Sequence, residues 1–294
     1  MMYTKHEKNG ILYYTSPLFD RYEIPHMFAA RFGGVSKGVF CSLNISQNRK
    51  NLYGDCDSPE NIRENIRRAL KIIERDESTA AMMKQIHSDL VCVAHSTCKE
   101  VFDSKIDFQE CDGLLSMKGE GRIDTVCVKT ADCVPVLLYD VKNDVICGIH
   151  AGWRGTVSNI CGNAVKIIRK INSDAEIIAA IGPCIQSCCY EVDDKVYGAA
   201  MYTSDMLKID RNLIDSCFAE RYFSKNGQKY KASLSGLNRI FLEHAGVKKE
   251  NISESEMCTC CFKDECECLE NVFFSHRASS GHSGTQMSAI SLRI

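Results

Sequence analysis

His87, Cys133 and His150 are the residues of this chain whose types and placement best fit a reactive centre. Cys133 lies in Thr130-Ala131-Asp132-Cys133-Val134-Pro135, between two apolar runs, and His150 ends the very next run. A short turn over residues 140–144 would fold these runs back on each other, so that the start of one meets the end of the other. His87 closes Gln85-Ile86-His87, just ahead of another apolar stretch. Two imidazoles and a thiolate occupy three tetrahedral positions and leave the fourth open, the pattern of a catalytic rather than a structural zinc. The open position holds either a water of lowered pKa or a substrate oxygen. Taken singly, each residue has a plainer use: a lone cysteine packs and a lone histidine caps a turn.

The elements that must position this set are readable in part. His150 ends the strand Val145–His150, and Ala151-Gly152-Trp153-Arg154-Gly155 turns the chain into a helix that Thr156 is placed to cap. Val157, Ile160, Cys161, Ala164, Val165, Ile168 and Ile171 give that helix one apolar stripe. Its N-terminus, with Arg154 beside it, is a candidate anion site. Strands are also expected at Ile11–Tyr14, Leu90–Ala94, Thr125–Thr130, Val134–Tyr139, Ile177–Ile181 and Met287–Leu292. Pro135 points to an edge or to a strand start. Ser58 and Pro59 open a helix with Ile62, Ile66, Ala69, Leu70 and Ile73 on one face, and another helix is expected over Ser235–His244. The irregular alternation of strands and helices favours an α+β fold. There is no repeat or Pro/Ser-rich linker, so residues 1–294 are read as a single domain.

Composition narrows the function. The chain has 294 residues, 45% hydrophobic and 25% charged, which is ordinary globular composition. The formal net charge of −2 lacks the basic excess of a nucleic-acid binder. No apolar run is long enough to span a membrane and no signal peptide opens the chain, so a cytoplasmic protein is expected. Its 18 cysteines are then free thiols or metal ligands rather than a disulfide framework. Cys92, Cys127, Cys147 and Cys161 sit among apolar neighbours and read as small buried hydrophobes.

Several blocks extend the pattern over nearly the whole chain: His26-Met27-Phe28-Ala29-Ala30-Arg31-Phe32-Gly33-Gly34-Val35-Ser36, Ser42-Leu43-Asn44, Gln85-Ile86-His87, Asp112-Gly113-Leu114, Thr130 to Val136, His150 to Gly155, Ile181 to Ile185, and Phe274-Ser275-His276-Arg277. Together they resemble the bacterial laccase-domain (YfiH/YlmD-type) family, first described as multicopper polyphenol oxidases and now regarded as zinc-dependent purine nucleoside phosphorylases that also deaminate adenosine. The resemblance implies a four-layer αββα sandwich with mixed sheets. It places the metal ligands and catalytic centre on His87, Cys133 and His150, with one zinc per chain that copper can displace. The implied substrates are phosphate and adenosine, inosine, guanosine or methylthioadenosine. Arg31 and Arg154 are then candidates to hold phosphate oxygens, because a guanidinium binds them in pairs. Asn44 is a candidate nucleoside contact. Asp132 either orients a ligand from behind or anchors its turn.

Two features depart from the family pattern. Gly284-Thr285 stands where the family commonly has Gly-Arg. Cys258-Thr259-Cys260-Cys261 is followed by an extra Cys266-Glu267-Cys268, enough thiols for a second, structural zinc. Three rival readings remain: a copper polyphenol oxidase, a metal-free Cys133/His150 thiol hydrolase, and a non-catalytic binding module. A multicopper cluster needs many histidines, often as His-x-His, and this chain has 8 with no such pair.

Overall fold

The computed structural model describes residues 2–47, 49–94, 110–119, 123–225, 227–263 and 271–293. Two six-stranded mixed sheets form its centre, with a small three-stranded sheet beside them. The first sheet runs in the order Thr4–Lys8, Ile11–Thr15, His26–Ala29, Gln286–Ser291, Thr125–Thr130 and Ala80–Met82. The second runs Ile252–Glu254, Ile177–Ile181, Val134–Asp140, Val145–Ala151, Gly113–Met117 and Val91–Val93. The two outermost pairings of the second sheet are parallel and its three inner ones antiparallel. Helices flank the sheets, so the architecture is the expected αββα sandwich.

The sheets approach closely because Gly148 carries no side chain. A Cβ there would lie 2.8 Å from Val126 Cγ1 and 2.9 Å from Val128 Cγ2 on the facing sheet. The helix Pro59–Ile72 starts as the sequence indicates, with Ser58 Oγ accepting from Asn61 N at 3.1 Å. It buries Ile62, Ile66, Ala69 and Leu70 in one apolar cluster with the first sheet, each larger side chain worth about 1.5–3 kcal/mol. Its inward Asn65 is buried because the Gly-rich loop uses it. Asn65 accepts from Val35 N and donates to Ser36 Oγ, Ser42 O and Asn44 O. The helices Ile160–Ile171 and Leu234–His244 pack on the outer face of the second sheet in a separate cluster.

One expected helix is two. The chain after His150 forms Trp153–Val157, capped by Gly152, and then Ile160–Ile171. Asn159 breaks it with a left-handed φ of 61°, which Asn tolerates. Its Oδ1 accepts from Gly162 N at 3.1 Å and satisfies an N–H that a continuous helix would have bonded internally. Thr156 is therefore inside a short helix and not its cap. Pro135 is the second residue of an interior strand, in keeping with the strand-start reading and not the edge reading.

Candidate metal centre

The hairpin register brings two of the three candidate ligands together. Pro135 pairs with His150 and Val134 with Ala151, so Cys133 sits just beyond the end of the ladder, beside His150. His87 arrives from the first sheet. Its segment is pinned by Gln85, whose side-chain amide donates to Lys129 O at 2.8 Å and accepts from Lys129 N at 2.9 Å. Gln85 thus bonds as a strand partner would, which is a physical use for Gln-Ile-His. The His87, Cys133 and His150 ligand atoms all lie within 4.8 Å of one another. Gly152 backs the group. A Cβ there would lie 3.1 Å from His87 Cδ2 and 3.3 Å from Cys133 Sγ.

Asp112 organises this trio from behind. It is fully buried and accepts His150 Nδ1 at 2.7 Å, His87 N at 3.0 Å and Ser88 N at 2.6 Å. Ser88 Oγ and Ile86 N also donate to it. Burial alone would raise the pKa of this carboxyl, but the His150 and Ser88 donors outweigh it and hold it at about 2. An ionised Asp112 fixes the proton of His150 on Nδ1 and leaves Nε2 to bind a metal. Burial also pushes the Cys133 thiol up. His150 and His87 overcome this and bring it down to about 6. Burial lowers the His150 pKa, while Cys133 and Asp112 raise it to about 9. The donor set therefore favours a thiolate, and its chemistry fits a borderline-soft cation with one position left open.

The trio opens on a cavity of about 500 Å³, a common size for a small-molecule site. Arg49, Lys84, Lys129, His276 and Arg277 put positive or ionisable groups on its wall, with Thr130, Tyr190 and Thr285 among the other lining residues. Burial lowers the pKa of the Lys129 ammonium, and no hydrogen bond or ion pair among the described residues offsets it. The buried hydroxyls of Thr130 and Thr285 have no hydrogen-bond partner among the described residues.

The three candidate substrate contacts do not line this cavity. Arg31 lies over the Phe274 ring, 5.2 Å from its centroid, and donates from Nε to Cys41 O. Arg154 is exposed and stacks on Trp153 at 4.5 Å, at the start of a five-residue helix. Asn44 is fully buried with its amide committed. It accepts from Ser46 N and Thr285 N and donates to Ser46 O and Asp57 Oδ2. Asn44 therefore sets two wall residues without facing the cavity. Asp132 anchors its turn: it accepts Thr259 Oγ1 and Arg277 N, each at 2.7 Å, and the carboxylate behind the ligands is Asp112. Sequence reasoning missed Asp112, Lys129 and Arg49 as site residues. Asp112 and Arg277 at least fall inside blocks that carried the resemblance. Cys258 and Cys261 are close together, but their neighbours are Cys188 and Cys189. Cys266 and Cys268 lie outside the described residues.

Fold and trio together define a class: αββα proteins with two histidines and a cysteine grouped at the mouth of a cavity. The family described as Multi-copper polyphenol oxidoreductase laccase matches residues 25–293, and the chain belongs to it. "Purine nucleoside phosphorylase YlmD" of Geobacillus stearothermophilus is 31% identical over 270 residues, covering 90% of this chain and 88% of that protein. "Adenosine deaminase RL5", from an unknown prokaryotic organism, is 32% identical over 220 residues, covering 73% and 76%. The crystal structure of the Bacillus licheniformis hypothetical protein YfiH superposes with a TM-score of 0.79 at 28% identity, covering 98% of each chain. No helix among the described residues is long and apolar enough to cross a membrane.

Proposed function

We propose that this protein cleaves the N-glycosidic bond of purine nucleosides with phosphate, and that His87, Cys133 and His150 hold one zinc ion for the purpose. One observation carries the reading: the ligand trio opens on a cavity whose wall also bears Lys129, Arg49 and Arg277. An anion beside an open metal position is what phosphorolysis requires. The relatives' names support the same chemistry; two imidazoles and one thiol can hold a single copper ion as well as zinc, but they fall far short of the ligands that a multicopper oxidase cluster needs. Zinc at this site would supply a Lewis acid and lower the pKa of a bound water.

The chain's own residues do the rest. Lys129 offers a partly buried ammonium that an anion would relieve of its desolvation. Arg49 and Arg277 supply guanidinium groups near Thr285, the position where the family commonly places an arginine. Asp112 holds His150 in one tautomer. Thr130 and Thr285 offer hydroxyls to a nucleoside. In the reaction a phosphate oxygen forms the new bond to the sugar's anomeric carbon as the bond to the purine nitrogen breaks. The nitrogen keeps the bonding pair and takes the proton of hydrogen phosphate, giving free base and ribose 1-phosphate. Adenosine, inosine, guanosine and methylthioadenosine are the candidate nucleosides. Deamination of adenosine is a second proposed activity, supported by the name of one relative. A cytoplasmic setting suits the free thiols.

The test is base release from inosine and adenosine, with and without phosphate, by protein purified anaerobically with its metal counted. Release that needs phosphate, follows zinc content and vanishes in Cys133→Ala is expected. No release from zinc-loaded protein would overturn the reading. Chelator-resistant turnover would instead favour a Cys133/His150 thiol mechanism.

A further inference from the structure

The sulfurs of Cys188, Cys189, Cys258 and Cys261 form a second compact group, all within 4.8 Å of one another. Two loops supply them, and the sheet dictates that they meet. Ile177–Ile181 and Ile252–Glu254 are parallel neighbours, in register from Ala179/Ile252 to Ile181/Glu254. Their continuations stay together: Ser255 N donates to Ile181 O, Thr259 N donates to Cys184 O, and Cys184 and Cys258 form a parallel bridge. Two parallel strands thus deliver Cys188-Cys189 and Cys258-x-x-Cys261 to one end of the sheet.

We propose that Cys188, Cys189, Cys258 and Cys261 form a separate structural site that binds zinc as a tetrathiolate. The spacing fits the ion. Zinc–sulfur bonds of about 2.3 Å in a tetrahedron put neighbouring sulfurs about 3.8 Å apart. Cys188 Sγ lies 3.8 Å from Cys189 Sγ and 3.7 Å from Cys261 Sγ. The local backbone also suits a thiolate knuckle. Cys258 O accepts from Cys261 N and Phe262 N in a tight turn, and Gln186 N points at Cys258 Sγ from 3.4 Å. Cys258 is buried while Cys188 and Cys261 are exposed, so the group lies near the surface where an ion can enter. All four thiols lose their protons on binding. Four ligands close the coordination sphere, so this ion takes no substrate.

The site has a mechanical role. Thr259, next to Cys258, donates to Asp132, which precedes Cys133. Arg277 donates to Cys189 O and Glu191 O. Ile185 and Tyr190, from the same loop as Cys188 and Cys189, line the cavity. An ion tying the two loops would therefore hold this wall of the cavity in place.

The experiment counts zinc in anaerobically purified full-length protein, in Cys133→Ala and in Cys188→Ser/Cys261→Ser, whose substituted side chains are exposed. About two zinc per chain are expected in the parent and about one in the double variant. Zinc-edge absorption of Cys133→Ala should give four sulfurs at about 2.3 Å. Cobalt loaded into Cys133→Ala should show intense thiolate charge-transfer bands that disappear when Cys188 and Cys261 are also replaced. Equal zinc in parent and double variant would overturn the proposal, as would a Cys133→Ala sample whose zinc has no full sulfur shell. If the His87 trio holds no zinc, Cys133→Ala leaves the count unchanged while the double variant still lowers it, so the two sites fail separately.

Discussion

The two clusters of metal-type ligands differ in what stands around them. The trio has two nitrogens and one sulfur, is rooted in a buried carboxylate, and faces a cavity. The quartet has four sulfurs on two loops, with two of them exposed. Asp132 lies between them, one residue from Cys133 and bonded to the neighbour of Cys258. On the two proposals above, ligand count and backing would distinguish an ion that reacts from an ion that braces. Three ligands leave a place for substrate, and four do not.

The largest effect is expected from Cys133→Ala. It should lower phosphorolysis by more than the roughly 10–100-fold that an outer-shell loss costs, while leaving the quartet's zinc in place. Full activity in that variant would remove the distinction. Asp112→Asn should follow, weakening metal retention or turnover by roughly 10–100-fold in a chelator competition and a rate assay. The carboxyl's folded pKa, about 2, lies below the ordinary aspartate value of 3.8. Its stabilising contribution is therefore complete above about pH 4 and declines as pH falls towards 2. Acid titration of the fold, followed by circular dichroism, should show a shallower loss in this window for the Asn variant.

Thiol reactivity sharpens the contrast in metal-stripped protein. The Cys133 thiol is drawn down to about 6, whereas burial pushes that of Cys261 up to about 11. Only the thiolate attacks iodoacetamide, so at pH 7 its fraction favours Cys133 by roughly 10⁴. Its lower nucleophilicity takes back roughly 10², leaving a net preference on the order of 100-fold. Peptide mapping should find Cys133 modified first, although Cys261 is the more exposed; the reverse order would contradict the electrostatics. The smallest expected effect is at the wall: Lys129→Met should raise the KM for phosphate about tenfold, equivalent to about 1.4 kcal/mol, with zinc content unchanged. An unchanged KM would take Lys129 out of the anion site.

Much of this arrangement was legible because it is local. The hairpin that carries Cys133 and His150 announces itself as two apolar runs and a short turn, and Ser58-Pro59 marks a helix start. The break at Asn159 was hidden because the apolar stripe continues across it, and only the side-chain cap reveals it. Phe218–Ser224 and Gly227–Ala232 escaped notice because the first is largely exposed and shows little alternation. Asp112 looks like any aspartate before a glycine until two separate segments, residues 86–88 and His150, are seen to converge on it. Arg31 and Asn44 were expected at the substrate because their blocks are specific, yet Arg31 packs on Phe274 and bonds Cys41 O, and the Asn44 amide is taken up by Ser46, Asp57 and Thr285. Cys188 and Cys258 meet only through the parallel pairing of strands distant in sequence, which spacing along the chain does not encode.

The position of Gln286–Ser291 has a consequence for how the molecule is made. This strand lies between His26–Ala29 and Thr125–Thr130, both of which leave the ribosome long before it. Until it arrives the first sheet is split, with two adhesive borders facing a gap. Thr285, at the threshold of that strand, reaches the cavity only at the same moment. Folding on the ribosome therefore has a late step, and a chain cut before residue 286 would have both an unfinished cavity and a surface inclined to self-association.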